Sequence, residues 1–398
     1  MMKRLAILLA ISTFLVNLAF VGDGWAKAVK AAPKQQKGKA ATAPAEKYKA
    51  YLVMEANSGK VLEEENAHEK RAPASMVKLM VADIVMEKLA RGEIHLTDKI
   101  TASKAASKIG GSQVYLKEGE EFTLEELMQA MMIHSANDAA YAIAEFISGN
   151  VDDFVALMNE KVKDLKMSDT EFHSVHGLPP AKDQKEDLTS CYDMAILARE
   201  LVKYPKLMEW TSTKQGEFRG GKFILTNTNK LLTKMSEVDG LKTGYYRSTG
   251  FNITVTAKKG NLRLIVVVMG SSTGKLRDEF ALGRLKTYFS QYVVTPLVKK
   301  GDPVDKEVFL EDGKYKRLKG ICASDFSYPL LKSKKKEIKR ILDMPDRIKG
   351  EVKEGQKLGE IRFQLDDEVI GKVDVVSPVY VPKANLFTRI FRKLGLGI

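Results

Sequence analysis

Three short elements constrain this chain more than anything else in it: Ser75-Met-Val-Lys78, Ser135-Ala-Asn137 and Lys242-Thr243-Gly244. Together they offer a serine with a lysine one helical turn on, a second hydroxyl beside an amide, and a cationic strand edge. That set suits a serine acyl-transferase that uses neither histidine nor metal, so the fold has to bring three distant segments to one place.

Taken singly, the patterns are weak. Ser-x-x-Lys occurs at Ser75, Ser272 and Ser333, and Ser148-Gly149-Asn150 matches the second pattern as well as Ser135 does. Lys-Thr-Gly occurs once. Context separates the copies. Ser75 follows Pro73 and precedes Met76, Leu79, Met80, Ile84 and Leu89, which predicts the first turn of a buried helix. Ser333 sits in a run of lysines, a solvated stretch, and Ser272 in a polar turn after a strand. Ser135 falls between two helical patterns, where a sharp turn aims its hydroxyl inward. Ser148-Gly149-Asn150 reads as a helix stop.

The chain has 398 residues, enough for two or three domains. Lys3 and Arg4 precede an apolar run from Leu5 to Val21, and Gly24-Trp25-Ala26 offers small residues for cleavage. Residues 1–26 are therefore expected to be an export signal, with an uncleaved anchor as the alternative. Residues 27–47, rich in Lys, Ala, Pro and Gln, are expected to be a disordered tether. The net charge is +13, yet the excess lies at the two ends, where anionic lipid or wall polymer is the natural partner. Nucleic acid is not an expected partner. Cys191 and Cys322 are expected in different domains as separate buried thiols. No Cys/His cluster has zinc spacing, so no metal or other cofactor is expected. His173 and His176, before Gly177-Leu178-Pro179, read as structural.

Alternation around Asn57-Ser58-Gly59 predicts a hairpin over 50–55 and 60–62. Helices are predicted around 75–91, 123–133, 138–148, 152–165 and 191–203. Strands follow at 223–226, 240–245, 251–257 and 262–269, then a helix from about Asp278 to Val293. The order predicts an α/β domain over 48–297: an antiparallel sheet flanked by helices, with a helical lobe. Short alternating segments over 298–383 predict a small β-sandwich. Over 384–398, Leu386, Phe387, Ile390, Phe391, Leu394 and Ile398 fall at helical spacing opposite Arg389, Arg392 and Lys393. That is an amphipathic helix for a membrane surface, with Asn385 as cap; a helix packed on the protein is the alternative.

With these pieces placed, the chain resembles the low-molecular-mass penicillin-binding proteins of the D-alanyl-D-alanine carboxypeptidase type (DacA-like, peptidase family S11) from about residue 48 onward. Ala72-Pro-Ala-Ser-Met-Val-Lys78, Ser135-Ala-Asn-Asp-Ala139, His176-Gly-Leu178, Asp239-Gly-Leu-Lys-Thr-Gly-Tyr245 and the 270–277 segment carry the likeness. The resemblance implies a transpeptidase/β-lactamase-like domain, a β-sandwich and an amphipathic anchor. It also implies removal of D-alanine from the peptidoglycan pentapeptide on the periplasmic face of the cytoplasmic membrane, with β-lactams as covalent inhibitors. Ser75 would be the nucleophile, Lys78 its base and Ser135 a proton shuttle. Asn137 would bind substrate. The backbone N–H groups of Ser75 and Tyr245 would form the oxyanion hole. Lys242, Thr243, with Gly244 beside them, and Arg277 would receive the terminal carboxylate. Two departures stand out: Ala136 where many relatives have glycine, and no histidine before the threonine in Asp187-Leu-Thr-Ser190. A D,D-endopeptidase or β-lactamase of the same superfamily, or a catalytically weak wall-binding scaffold, are the competing readings.

Overall fold

The computed structural model describes residues 47–333 and 338–393. The expected export signal, nearly all of the expected tether and the last five residues lie outside the described residues. Among the described residues, no helix is long and apolar enough to cross a membrane.

Strands β1 (Ala50–Glu55) and β2 (Val61–Glu65) form the expected hairpin. The Glu55 carboxylate accepts from the N–H of Asn57 and Ser58 and from Ser58 Oγ, which ties the turn. A 3-10 turn over Ala74–Val77 then runs directly into α1 (Lys78–Ala90). Ser75 thus lies in the 3-10 turn rather than the first turn of the α-helix itself. The distinction matters, because three residues per turn eclipse positions 75 and 78. Residues Lys78 to Met86 are all buried, so α1 runs through the core.

A small ladder of β3 (Lys99–Thr101) and β4 (Glu121–Thr123) brackets the loop between them. Thr123 and Glu126 make a reciprocal capping box that starts α2 (Leu124–Ile133). Then come α3 (Asn137–Ser148), α4 (Val151–Asp164) and α5 (Cys191–Leu201). Gly149, at φ +78°, ends α3, and Asn150 caps α4 by accepting from Asp153 N. Ser148-Gly149-Asn150 is helix punctuation, as its sequence predicts. Eight residues of α6 (Pro205–Ser212) are too few for periodicity to register, though proline at the first turn marks the start. A hairpin of β5 (Gln215–Phe218) and β6 (Phe223–Thr226) follows.

The chain returns to the sheet with β7 (Val238–Tyr246), β8 (Gly250–Lys259) and β9 (Leu262–Ser271). The five-stranded order is β2-β1-β9-β8-β7, every pair antiparallel. Alternate residues serve two cores. Leu52, Met54, Ile265 and Val267 face the cluster that includes α1, α2, α3 and α5. Tyr51, Val53, Val255 and Val266 face α7 (Gly274–Gln291) through Ala281 and Leu285. Thr273 caps α7 by accepting from Leu276 N, earlier than the sequence pattern suggested. The helix also stops sooner. Tyr292 and Val293 belong to a strand, β10 (Tyr292–Val298), which pairs with β13 of the second domain.

The second domain holds β11 (Pro303–Leu310), β12 (Arg317–Cys322), β13 (Phe326–Leu331), β14 (Ile338–Asp343), β15 (Arg347–Ile348), β16 (Lys357–Leu365) and β17 (Glu368–Val376). Six strands form one sheet, ordered β14-β16-β17-β12-β11-β15, beside the β10–β13 ladder. Val308, Leu310, Leu318, Ile361, Phe363 and Val375 close a separate core, so the domain buries its own apolar face. Asn385 Oδ1 accepts from Thr388 N and caps α8 (Leu386–Lys393), the expected terminal helix. Leu386, Phe387 and Ile390 on it are exposed. Cys191 and Cys322 are free, buried and in different domains.

Candidate active site

The Ser75 turn is shaped by its neighbours. Ala74 takes φ +50°, a left-handed conformation that is costly for alanine. Two glycines press on this turn. A Cβ on Gly177 would sit 2.0 Å from Ala74 O, and one on Gly244 2.3 Å from Pro73 O. The glycine of Lys-Thr-Gly is therefore required by close approach, since β7 packs directly on the residues that carry the serine.

Lys78 Nζ is buried and lies 3.1 Å from Ser75 Oγ, 2.6 Å from Asn137 Oδ1 and 2.8 Å from His176 O. The Asn137 amide is oriented by its own Nδ2, which donates to Gly110 O at 2.7 Å. Oδ1 and a backbone carbonyl are acceptors only. They take two N–H bonds from the amine, which is all a neutral lysine has. Its lone pair is then left for Ser75 Oγ. Burial, then the charge on Lys242, hold the Lys78 amine well below its ordinary value, while Asp187 and Asp138 pull the other way. The arrangement suits a neutral base.

Ser135 occupies the tight turn between α2 and α3 at φ +67°. Lys242 Nζ donates to Ser135 Oγ at 2.8 Å and to Thr243 O at 3.1 Å. Burial, and secondly Arg277, push the Lys242 amine down to about 7. Because Asn137 opens α3 two residues after Ser135, the Ser75–Lys78 pair and the Ser135–Lys242 pair are joined through one turn. β7 is the edge strand of its sheet, so its free side offers backbone donors and acceptors to an extended peptide.

Thr243 Oγ1 donates to Thr228 Oγ1 at 2.7 Å. The Tyr245 side chain is exposed and stacks on Phe251, with ring centroids 4.1 Å apart. Arg277 is buried. Its Nε and Nη2 donate to Asp278 Oδ1, and its Nη1 to Asn252 O. It thus lends positive charge near Lys242 from a fixed position. Ala136 is fully buried at the N-cap of α3.

Several contributors escape a reading of side-chain types. His176 acts through its backbone carbonyl. Its ring is lowered to about 4 by burial and by Lys78, and it accepts from Leu178 N. The loop presenting that carbonyl is held by Asp187, which accepts from His173 N, Ser174 N and Ser174 Oγ, while Ser174 Oγ accepts from Gly177 N. Gly110 O and Thr228 likewise matter only through position. The sole sequence signal was the His176-Gly-Leu178 segment. No group of three or more His, Cys, Asp or Glu among the described residues could hold a metal ion.

The Peptidase S11 family, described as D-alanyl-D-alanine carboxypeptidase, matches residues 37–273. The chain belongs to this family. Residues 292–383 match a second family, described as Penicillin-binding protein 5, C-terminal domain, so this S11 member is a serine hydrolase with that β-rich domain attached. It is similar to D-alanyl-D-alanine carboxypeptidase DacF of Bacillus subtilis (strain 168), at 37% identity over 398 residues, covering 99% of this chain and 98% of the relative. The structure resembles the crystal structure of penicillin binding protein 5 from Haemophilus influenzae, with TM-score 0.74 and 29% identity over 86% of this chain and 100% of that one. It also resembles penicillin-binding protein D2 of Listeria monocytogenes in the ampicillin-bound form, with TM-score 0.55 and 29% identity over 61% of this chain and 97% of that one. The D-alanyl-D-alanine carboxypeptidase reading therefore stands over its rivals.

Proposed function

We propose that this carboxypeptidase removes the terminal D-alanine of the peptidoglycan pentapeptide through an acyl-enzyme on Ser75. The observation that carries the reading is the Lys78 amine, whose two donor bonds to Asn137 Oδ1 and His176 O leave its lone pair for Ser75 Oγ at 3.1 Å. Neutral Lys78 takes the Ser75 proton as Oγ attacks the carbonyl of the penultimate D-alanine. The carbonyl oxygen moves toward the backbone N–H groups of Ser75 and Tyr245. Donors so placed are worth about 3 kcal/mol each in the transition state. Ser135, hydrogen-bonded to Lys242, passes a proton to the leaving amine, and free D-alanine departs. Water then attacks the Ser75 ester and releases the shortened peptide.

Asn137 holds the substrate amide, and Lys242, Thr243 and the charge of Arg277 select a free terminal carboxylate. A β-lactam, as in the ampicillin-bound relative, acylates the same serine. Export across the cytoplasmic membrane and attachment to its outer surface through α8 complete the reading. The exposed Leu386, Phe387 and Ile390 supply the apolar side for that surface.

Mass spectrometry of a disaccharide pentapeptide incubated with the protein is the test. Loss of one alanine, blocked by penicillin and absent in Ser75→Ala, is expected. Labelling of Ser75→Ala by a fluorescent penicillin would falsify the nucleophile assignment.

A further inference from the structure

The β8–β9 turn lies at the far end of its strands from the Lys-Thr-Gly element. Thr243 and Gly244 pair with Ile253 and Asn252. Lys258 lies farther along β8, about 20 Å from Asn252 at the usual strand rise of about 3.3 Å per residue. At that end a cavity of about 800 Å³ opens between the two domains. One wall is built from the β1–β2 turn, the end of α5 and the β8–β9 turn. The other is β10 and the β12–β13 turn. A space of this size is in the range of ligand sites.

Its charge is unbalanced. Lys203 is paired with Glu200, and Arg263 with Asp239. Arg199, Lys258 and Lys299 also line the space, and none of them forms an ion pair among the described residues. Asp239 feels Lys258 as well as Arg263, so one carboxylate serves two cations. Asp325 is the lining's acidic residue, and its Oδ1 already accepts from Lys300 N at 2.7 Å.

Arg199 is fixed in place. Its Nε donates to Ala56 O at 2.8 Å and its Nη2 to Asn57 O at 3.2 Å. Gly59, at φ +75°, packs so closely that a Cβ would lie 2.5 Å from Nη1. A guanidinium has five N–H donors, and the two carbonyls leave it with others to offer. A pre-positioned fork of this kind recognises carboxylate or phosphate oxygens. Val202, Val294 and Phe326 give the cleft apolar flanks for the uncharged part of such a ligand.

We propose that this interdomain cleft binds a ligand bearing an oxyanion, its phosphate or carboxylate group held by Arg199, Lys258 and Lys299. The cations come from both domains, so the bound ligand ties the domains to each other while Ser75 stays free to react. The assignment does not depend on the acyl-enzyme reading.

The test titrates the full chain, and an Arg199→Gln, Lys258→Gln, Lys299→Gln triple variant, by calorimetry at low and high salt. The probes are poly(glycerol phosphate) and, separately, a soluble glycan tetrapeptide. Saturable binding of either probe is expected, weakened by salt and at least tenfold weaker in the triple variant. Binding of the first probe alone assigns a phosphodiester as the oxyanion, and of the second alone a carboxylate. Equal affinity in the two proteins, or no saturable binding of either probe, overturns the proposal. D-alanine release from a short soluble peptide is measured alongside and is expected to be unchanged in the triple variant. A parallel loss of both binding and release would overturn the assignment of a separate site. Failure of the Ser75 reading would show in the release assay of the parent protein, which the titration does not use.

Discussion

Lys78 and Lys242 are two amines buried within one site, and the charge on Lys242 makes a charge on Lys78 more costly. The sign of the pH effect follows. In the proposed mechanism Lys78 works only when neutral, so kcat is expected to fall as pH drops through its lowered native value, visible in a pH–rate profile. Lys78→Arg keeps the charge at every accessible pH and should lower kcat by about three orders of magnitude, since a guanidinium cannot act as base. In the same proposal Lys242 meets the substrate carboxylate as a cation, so KM is expected to rise as pH climbs above about 7. Stability moves in the same direction as the neutral forms. The unfolded chain takes up protons that the folded site refuses, so the urea midpoint should rise from about pH 7 toward the ordinary lysine value of about 10.4. Lys242→Met is expected to flatten that slope.

At the level of elements, the site depends on what two loops and one strand do to the Ser75 turn. Gly244→Ala places a Cβ 2.3 Å from Pro73 O, inside any tolerable contact. Either β7 or the serine turn must shift, and acylation by a fluorescent penicillin should slow about a hundredfold, the cost of a misplacement of about 1 Å. Gly149→Ala is the contrast. It also sits at positive φ, but nothing lies within 4 Å of its Cβ. It should cost about 1 kcal/mol in a denaturation midpoint and leave acylation unchanged. Asp187→Ala removes the acceptor of three bonds that hold the 173–178 loop. It is expected to lower kcat more than it raises KM, because the His176 carbonyl helps orient the Lys78 amine rather than the substrate. The 3-10 form of the Ser75 turn was not legible in the apolar spacing, which is satisfied by either helix type. It follows from Pro73, Ala74 at positive φ and the pressure of two glycines.

For the whole molecule, the two domains keep separate cores, with Cys191 in one and Cys322 in the other. Reductant is therefore expected to leave the melting curve unchanged. Removing residues 384–398 should abolish binding to anionic vesicles in a flotation assay while leaving kcat on a soluble peptide intact, because α8 follows the second domain and the Ser75 turn lies in the first. The junction between domains was hard to read. Tyr292, Val293 and Val294 carry apolar side chains that suit the end of a helix as well as a strand. Pairing of β10 with β13, residues distant in sequence, decides for the strand.

The amino-acid order alone determined which residues are candidates for the site, the antiparallel sheet with its helical lobe, the β-rich second domain and the capped terminal helix. These are written in local periods, caps and short motifs, which need no knowledge of distant contacts. Tertiary structure decided the rest. Which carbonyls take the Lys78 protons, why Gly244 and Gly177 have to be glycine, and how Arg199 comes to line a cleft with Lys258 and Lys299 all depend on backbone atoms from remote segments meeting within a few ångströms. Backbone carbonyls are the same in every residue, so no residue name announces them.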